Sequence, residues 1–179
     1  EVGAYNAYKA IQSEKHLIMV NVEADVLVGP ILNKLALSKN VVYSLAFGDQ
    51  PALIEELYDW ALSTGFEVVT AGKGTKYLPE YRKAKPDDAY KRYGYSQNKF
   101  KESKLNPKMY NSFLDGTKSA VEMCSVANMT GMVPDVPGMH FPPASTNDIP
   151  SILIPKSEGC ILSKNNFVEV ISCLNIDGI

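Results

Sequence analysis

The sequence predicts an α/β fold with a parallel sheet, and three observations carry that prediction. Short apolar runs rich in branched residues recur at HLIMVNV (16–22), VVYSLAF (41–47) and FEVVTAG (66–72). Helical stretches separate them, opened by Pro30 and Pro51, where a first helical turn tolerates the missing N–H. Strands and helices alternating at this spacing read as βαβ units.

Taken in order, Val2, Tyr5, Ala7, Tyr8 and Ile11 form a helical stripe over residues 2–13. Residues 16–22 then read as a strand buried on both faces. A helix is expected from Pro30, with Ile31, Leu32, Leu35 and Ala36 on one side. After the strand at 41–47, Pro51 opens PALIEELYDWALST, which Gly65 closes. The third strand, 66–72, runs into a loop with Gly72, Lys73, Gly74 and Lys76. Short helices are expected around 87–93 and 107–114, and a longer one from Gly116 to Met129, ended by Gly131. Residues 132–157 hold more than half of the prolines and read as a surface excursion. Two strands finish the chain, CILS and an alternating FVEVISCLN.

With 179 residues the chain can bury a core as one domain. A net charge of −2 gives no global attraction to nucleic acid or anionic membrane. No apolar run approaches the roughly 18 residues of a membrane span, and HLIMVNV is too short and wrongly flanked for a signal peptide. Cys124, Cys160 and Cys173 lack CxxC spacing, which argues against zinc or a disulfide framework and suits reduced thiols in a cytoplasmic protein. His16 and His140 are too scattered for a zinc cluster. Charge is nonetheless uneven: residues 72–110 hold eleven Lys or Arg against four Asp or Glu. With its tyrosines this segment superficially suits single-stranded nucleic acid, but no recognisable motif supports that, and a basic lining for a phosphorylated small molecule serves as well.

Several constellations could carry chemistry. TAGKGTK does not match the P-loop pattern. It reads instead as a strand-end loop whose amides and lysines bind an anion, or as a solvated turn. Gly48, Asp49 and Gln50 lie between a strand and a helix start, where Asp49 caps the helix or free amides meet an anion. Lys118 and Glu122 share one helical face four residues apart, as a surface pair or as catalytic partners, and Asp115 is placed to cap their helix. No G-x-G-x-x-G fingerprint is present. The chain begins on a helix without methionine and stops at NIDGI, so it is expected to be an excerpt from a longer protein.

MVNVEADVLVGPILNKLA, VVYSLAFGDQPALI, EVVTAGKGTKYLPEY, NSFLDGTKSAVEM and MHFPPAS together resemble the homoserine-dehydrogenase-like oxidoreductases. The resemblance is greatest to the deoxyxylulose-phosphate-reductoisomerase-like branch. It implies that residues 1–50 are the second half of a Rossmann-type NAD(P)-binding domain, with the glycine fingerprint upstream. Residues 51–179 would then be an α+β catalytic domain.

The family's tyrosine, glycine turn and proline fall on Tyr43, Gly48 and Pro51, in a turn one residue shorter that contains Asp49 and Gln50. Its Asn-Lys falls near Glu23 and Ala24, where the lysine is absent. Its Asp-x-x-x-Lys falls on Lys118 and Glu122 with the charges reversed, which disfavours homoserine as substrate. Implied roles follow: Lys118 at the reacting oxygen, Asp115 and Glu122 orienting it or contacting hydroxyls, and Lys73 and Lys76 with Gly72 and Gly74 holding an anionic group. Glu23, Gly48, Gln50 and Pro51 would contact NADP or NAD. Asp49 with Glu23 could ligate Mg²⁺ or Mn²⁺ if the reaction includes isomerisation. The resemblance also implies a small-molecule substrate and a homo-oligomer. A competing reading is a non-catalytic oligomerisation or sensing module on a degenerate dehydrogenase fold.

Overall fold

The computed structural model describes residues 1–173 and contains two parallel sheets with helices packed between and beside them. Helix α1 (Val2–Gln12) comes first, followed by strand β1 (Leu17–Met19), helix α2 (Val22–Ser38) and strand β2 (Tyr43–Leu45). β1 and β2 pair in parallel, Leu17 with Tyr43 and Met19 with Leu45, which makes β1–α2–β2 the expected βαβ unit. Ile11, Met19, Leu32 and Ala36 form the core of this part. Ile11, Met19 and Leu32, fully buried, each contribute about 1.5–3 kcal/mol, and Ala36 about 0.8 kcal/mol.

These two strands are shorter than expected and are not buried on both faces. Leu17 and Met19 face the helices, but Ile18 points outward and is 68% exposed. The period-2 alternation of a strand puts it there once α1 and α2 cover only one face.

The helix expected to start at Pro30 starts at Val22. Asn21 caps it, its side chain accepting from the Ala24 amide at 2.8 Å. Pro30 therefore sits inside α2, where it leaves the Val26 carbonyl without its normal intrahelical donor. The Asn128 side-chain amide donates to that carbonyl at 3.2 Å, so the helix continues through the proline.

Helix α3 (Gln50–Ser63) follows as expected, and its chain turns at Gly65 with φ 88°. Strand β3 then spans Thr70–Thr75, four residues later than expected at its start. Short helices α4 (Ala89–Arg92), α5 (Gln97–Glu102) and α6 (Pro107–Ser112) occupy the basic segment, of which α5 was not anticipated. They pack around a small aromatic cluster of Phe100, Tyr93, Tyr95 and Tyr110. Helix α7 (Thr117–Thr130) lies between Gly116 and Gly131, both left-handed. Strand β4 (Val133–Pro134) and helix α8 (Ile149–Ile152) interrupt the proline-rich excursion. CILS forms no strand, only an isolated bridge of Leu162 to Pro155.

Strand β5 (Phe167–Ser172) completes the second sheet, ordered β3–β5–β4 and wholly parallel. The alternating pattern predicted one exposed face, yet every residue of β5 is buried. It is the central strand, with Val168 and Val170 packed on Met123 and Val126 of α7 and the opposite face on Leu153 and Leu162. Residues 174 and 175 of the expected strand lie outside the described residues.

α7 joins the two sheets. It packs on α3 and β5 through its apolar side and runs alongside α2 on the other. Buried Asp25 of α2 accepts from the Ser125 hydroxyl of α7 and the Tyr43 hydroxyl of β2, each at 2.7 Å. Burial, and then the bond to Asp25 and its charge, push the Tyr43 phenol well above its ordinary pKa, so it stays a donor. Gly29, one turn along, leaves space for the Asp25 carboxylate: a Cβ there would lie 2.5 Å from Oδ1. Asp25→Ala strands the buried Ser125 hydroxyl and the half-buried Tyr43 hydroxyl, and we expect a loss of about 3 kcal/mol in urea unfolding. A loss under about 1 kcal/mol would show that this network does not hold the two parts together.

Candidate active site

The segment after β2, the carboxyl end of β3 and the first turns of α3 and α7 meet at one cavity of about 310 Å³. Asp49, Gln50, Lys73, Ser119, Lys118 and Glu122 contribute to its wall, with Thr75 and Phe113 at one side. This is the edge where parallel α/β sheets collect ligands.

Lys73 lies within β3 rather than in a loop beyond it. Ala71 of the same strand packs into the apolar cluster under α7, so strand alternation also points Lys73 at that helix. There it forms a salt bridge with Glu122 through Oε2, while Oε1 of the same carboxylate lies 3.9 Å from Lys118 Nζ. Lys118 reaches across to Glu23 at the start of α2, 3.3 Å away. The Glu23 carboxyl is held below its ordinary range, first by its own backbone N–H at the helix start and then by Lys118. Lys73, Glu122 and Lys118 thus alternate in charge along one wall, and exposed Glu23 of α2 continues the row outside it.

Glu122 is the buried member, 2% exposed, with Lys73 and Lys118 on either side of it. A carboxylate taken out of water needs such partners. The Lys118–Glu122 spacing is therefore not a surface pair.

Other expected site residues divide. Gln50 and Asp49 line the cavity, and the Asp49 carboxylate also accepts from the Gln50 amide at 3.1 Å, capping α3. Gly48 turns with φ 94° and faces open space. Pro51 is buried under the helix start and packs rather than lines. Lys76 is exposed just beyond β3 and lines no part of this cavity. Asp115 does not face Lys118: its Oδ1 accepts from the Thr117 amide at 2.9 Å, and it borders a different cavity. Among the described residues no group of three His, Cys, Asp or Glu is placed to hold a metal. The proposed pair of Asp49 and Glu23 is instead engaged by the α3 start and by Lys118.

Gly72 and Gly74 have a structural reason that differs from an anion loop. A Cβ on Gly72 would overlap the Glu169 carbonyl oxygen of β5, and one on Gly74 would overlap the Cys173 sulfur. The glycines let β3 lie close against the central strand.

The sequence reading assigned no role to His140, Arg82 or Glu169. Glu169 is 1% exposed inside β5, and its carboxylate accepts from the His140 amide at 3.0 Å and the Phe141 amide at 3.4 Å. His140 Nδ1 lies 2.7 Å from the same carboxylate. The available signal was an acidic residue inside the apolar run FVEVIS, which requires buried partners.

An α/β domain with parallel sheets and a charged cleft at the strand ends has the architecture in which ligands collect beyond the carboxyl ends of the strands. Residues 48–178 match the family described as oxidoreductase DRL, catalytic domain, and the chain belongs to that family. It is thereby an oxidoreductase domain. No curated protein matches the chain. No helix among the described residues is long and apolar enough to cross a membrane.

The glycine packing yields a direct test. Gly72→Ala should cost about 3 kcal/mol or more in urea unfolding, because backbone rather than a flexible side chain opposes the new methyl. Near-unchanged stability would mean that β3 and β5 are not so closely paired.

Proposed function

We propose that this chain is the catalytic part of an NAD(P)H-dependent oxidoreductase. Its substrate is a small hydroxy or carbonyl compound that can carry an anionic group, and the reacting oxygen binds at Lys118. The observation that carries this reading is the alternating set Lys73–Glu122–Lys118 along the cavity at the strand ends, which Glu23 extends beyond the cavity wall. Residues 1–50, with their βαβ unit, would complete the nucleotide half of the intact protein.

The residues near the ends of β1 and β2 fit the nicotinamide end of a dinucleotide better than its pyrophosphate. Gln50 and Asp49 present an amide and a carboxylate to the cavity, Glu23 lies beside Lys118, and residues 1–50 hold no glycine-rich turn. When bound, the cofactor supplies or accepts a hydride at the substrate carbon. The protein must then stabilise the oxygen that gains an electron pair and deliver a proton to it.

Lys118 Nζ suits both tasks, since its ammonium is only partly exposed and carries a proton toward the cavity. Glu122 offsets the charge of two lysines at once and holds Lys118 in position through the 3.9 Å contact. Lys73 neutralises the other oxygen of Glu122, so that the carboxylate need not be desolvated alone. Glu23 tethers the lysine from the start of α2.

The test is turnover in protein carrying a complete dinucleotide-binding half, screened with sugar phosphates and hydroxy-amino acids. Lys118→Met should reduce kcat by about a hundredfold or more, the usual effect of losing an acid–base group. Near-normal turnover would remove Lys118 from the chemistry. Failure of NADPH and NADH to bind at all would favour a sensing role.

A further inference from the structure

A second cavity of about 250 Å³ adjoins the first across the opening turn of α7. The segment after β3 gives Thr75 to the first and Tyr77 to the second, and the segment before α7 gives Phe113 and then Asp115. α7 itself gives Lys118 and Glu122 to the first, Gly116 and Ala120 to the second. The two are consecutive compartments along the same three stretches of chain. Together they reach the size of a metabolite site, whereas either alone falls near or below the lower end.

The second compartment differs in chemistry. One wall is apolar, with the Tyr77 and Phe141 rings 4.5 Å apart at their centroids. Its polar groups are mostly engaged already. Asp115 accepts from Thr117 N and from the Asn111 amide, at 2.9 and 2.7 Å, and Asn111 is held by Arg92 at 2.8 Å. His140 Nδ1 is taken by Glu169, and its Nε2 lies 3.7 Å from Asp135.

Arg82 is the exception. It is exposed at the cavity rim, and among the described residues its guanidinium has no carboxylate within salt-bridge distance and no side-chain hydrogen bond to the protein. Gly138, at φ 81°, leaves it room: a Cβ there would stand 3.0 Å from Nη2.

We infer that the second compartment receives the anionic end of the substrate, a carboxylate or a phosphate monoester, on Arg82. The substrate's carbon chain crosses the Tyr77–Phe141 wall, and its reacting oxygen lies at Lys118. The planar fork of arginine donates paired hydrogen bonds to either anion. The anion-holding role expected of Lys76 passes to Arg82, since Lys76 lines neither compartment. The placement of the reacting end rests on the oxidoreductase reading above; the anion site itself is tested without it.

The experiment is an NMR titration of the ¹⁵N-labelled chain with inorganic phosphate and, separately, with acetate. Saturable shifts of the Gly116, Thr117 and Gly138 amides are expected with at least one of them. Arg82→Gln should weaken that binding about tenfold or more, as for a lost charge-assisted hydrogen bond, while Lys76→Ala leaves it unchanged. Preference for phosphate identifies a phosphate monoester tail, and binding of acetate as well or better identifies a carboxylate. No saturable shifts, or equal weakening by both substitutions, would overturn the proposal. Because neither cofactor nor turnover enters the readout, failure here and failure of the Lys118 experiment are separable.

Discussion

Everything at the site depends on where α2 lies against α7, and a buried carboxylate sets that contact. Asp25 is held by hydroxyls from β2 and α7, and Asn128 of α7 takes the carbonyl that Pro30 leaves free on α2. The two bonds from α7 join parts of the chain about a hundred residues apart in sequence. They are also polar and directional, so they fix the register between the helices in a way that apolar contact alone would not. With that register set, the first turn of α2 comes level with the first turn of α7, and Glu23 meets Lys118.

The second sheet supplies the other half of the site by different means. Its central strand is buried on both faces, and the glycines of β3 allow that edge strand to sit close beside it. Close pairing carries Lys73 to the point where its ammonium reaches Glu122. A buried carboxylate between two lysines would be costly with either one missing, so the fold and the site are specified together. The same central strand carries Glu169, which pins the loop holding His140 and Phe141 and so shapes the adjoining compartment.

What was legible in the sequence was local. The α3 boundaries at Asp49 and Gly65, the α7 boundaries at Gly116 and Gly131, and the parallel βαβ order all follow from caps, glycines and apolar runs. The errors came where a distant segment overrides local preference. Pro30 reads as a helix start unless Asn128 is known to lie against it. G-K-G reads as a loop unless β5, with Gly72 opposite Glu169, is known to pair with it. For the site, the helical spacing of Lys118 and Glu122 was visible, whereas their burial and the arrival of Lys73 and Glu23 were not. Arg82 was invisible for the same reason: that it borders a cavity without a charged partner among the described residues shows only in the folded arrangement.

The central claim is that the α2–α7 contact holds Lys118 in the charge row. It can be read directly from the side-chain ammonium signals of ¹⁵N-lysine-labelled protein. The account predicts two protected ammonium groups, Lys73 and Lys118, and selective loss of the Lys118 signal in Ser125→Ala/Asn128→Ala, with Lys73 retained. Protection of Lys118 unchanged in that double variant would contradict it, and would mean that the lysine is positioned without help from α2.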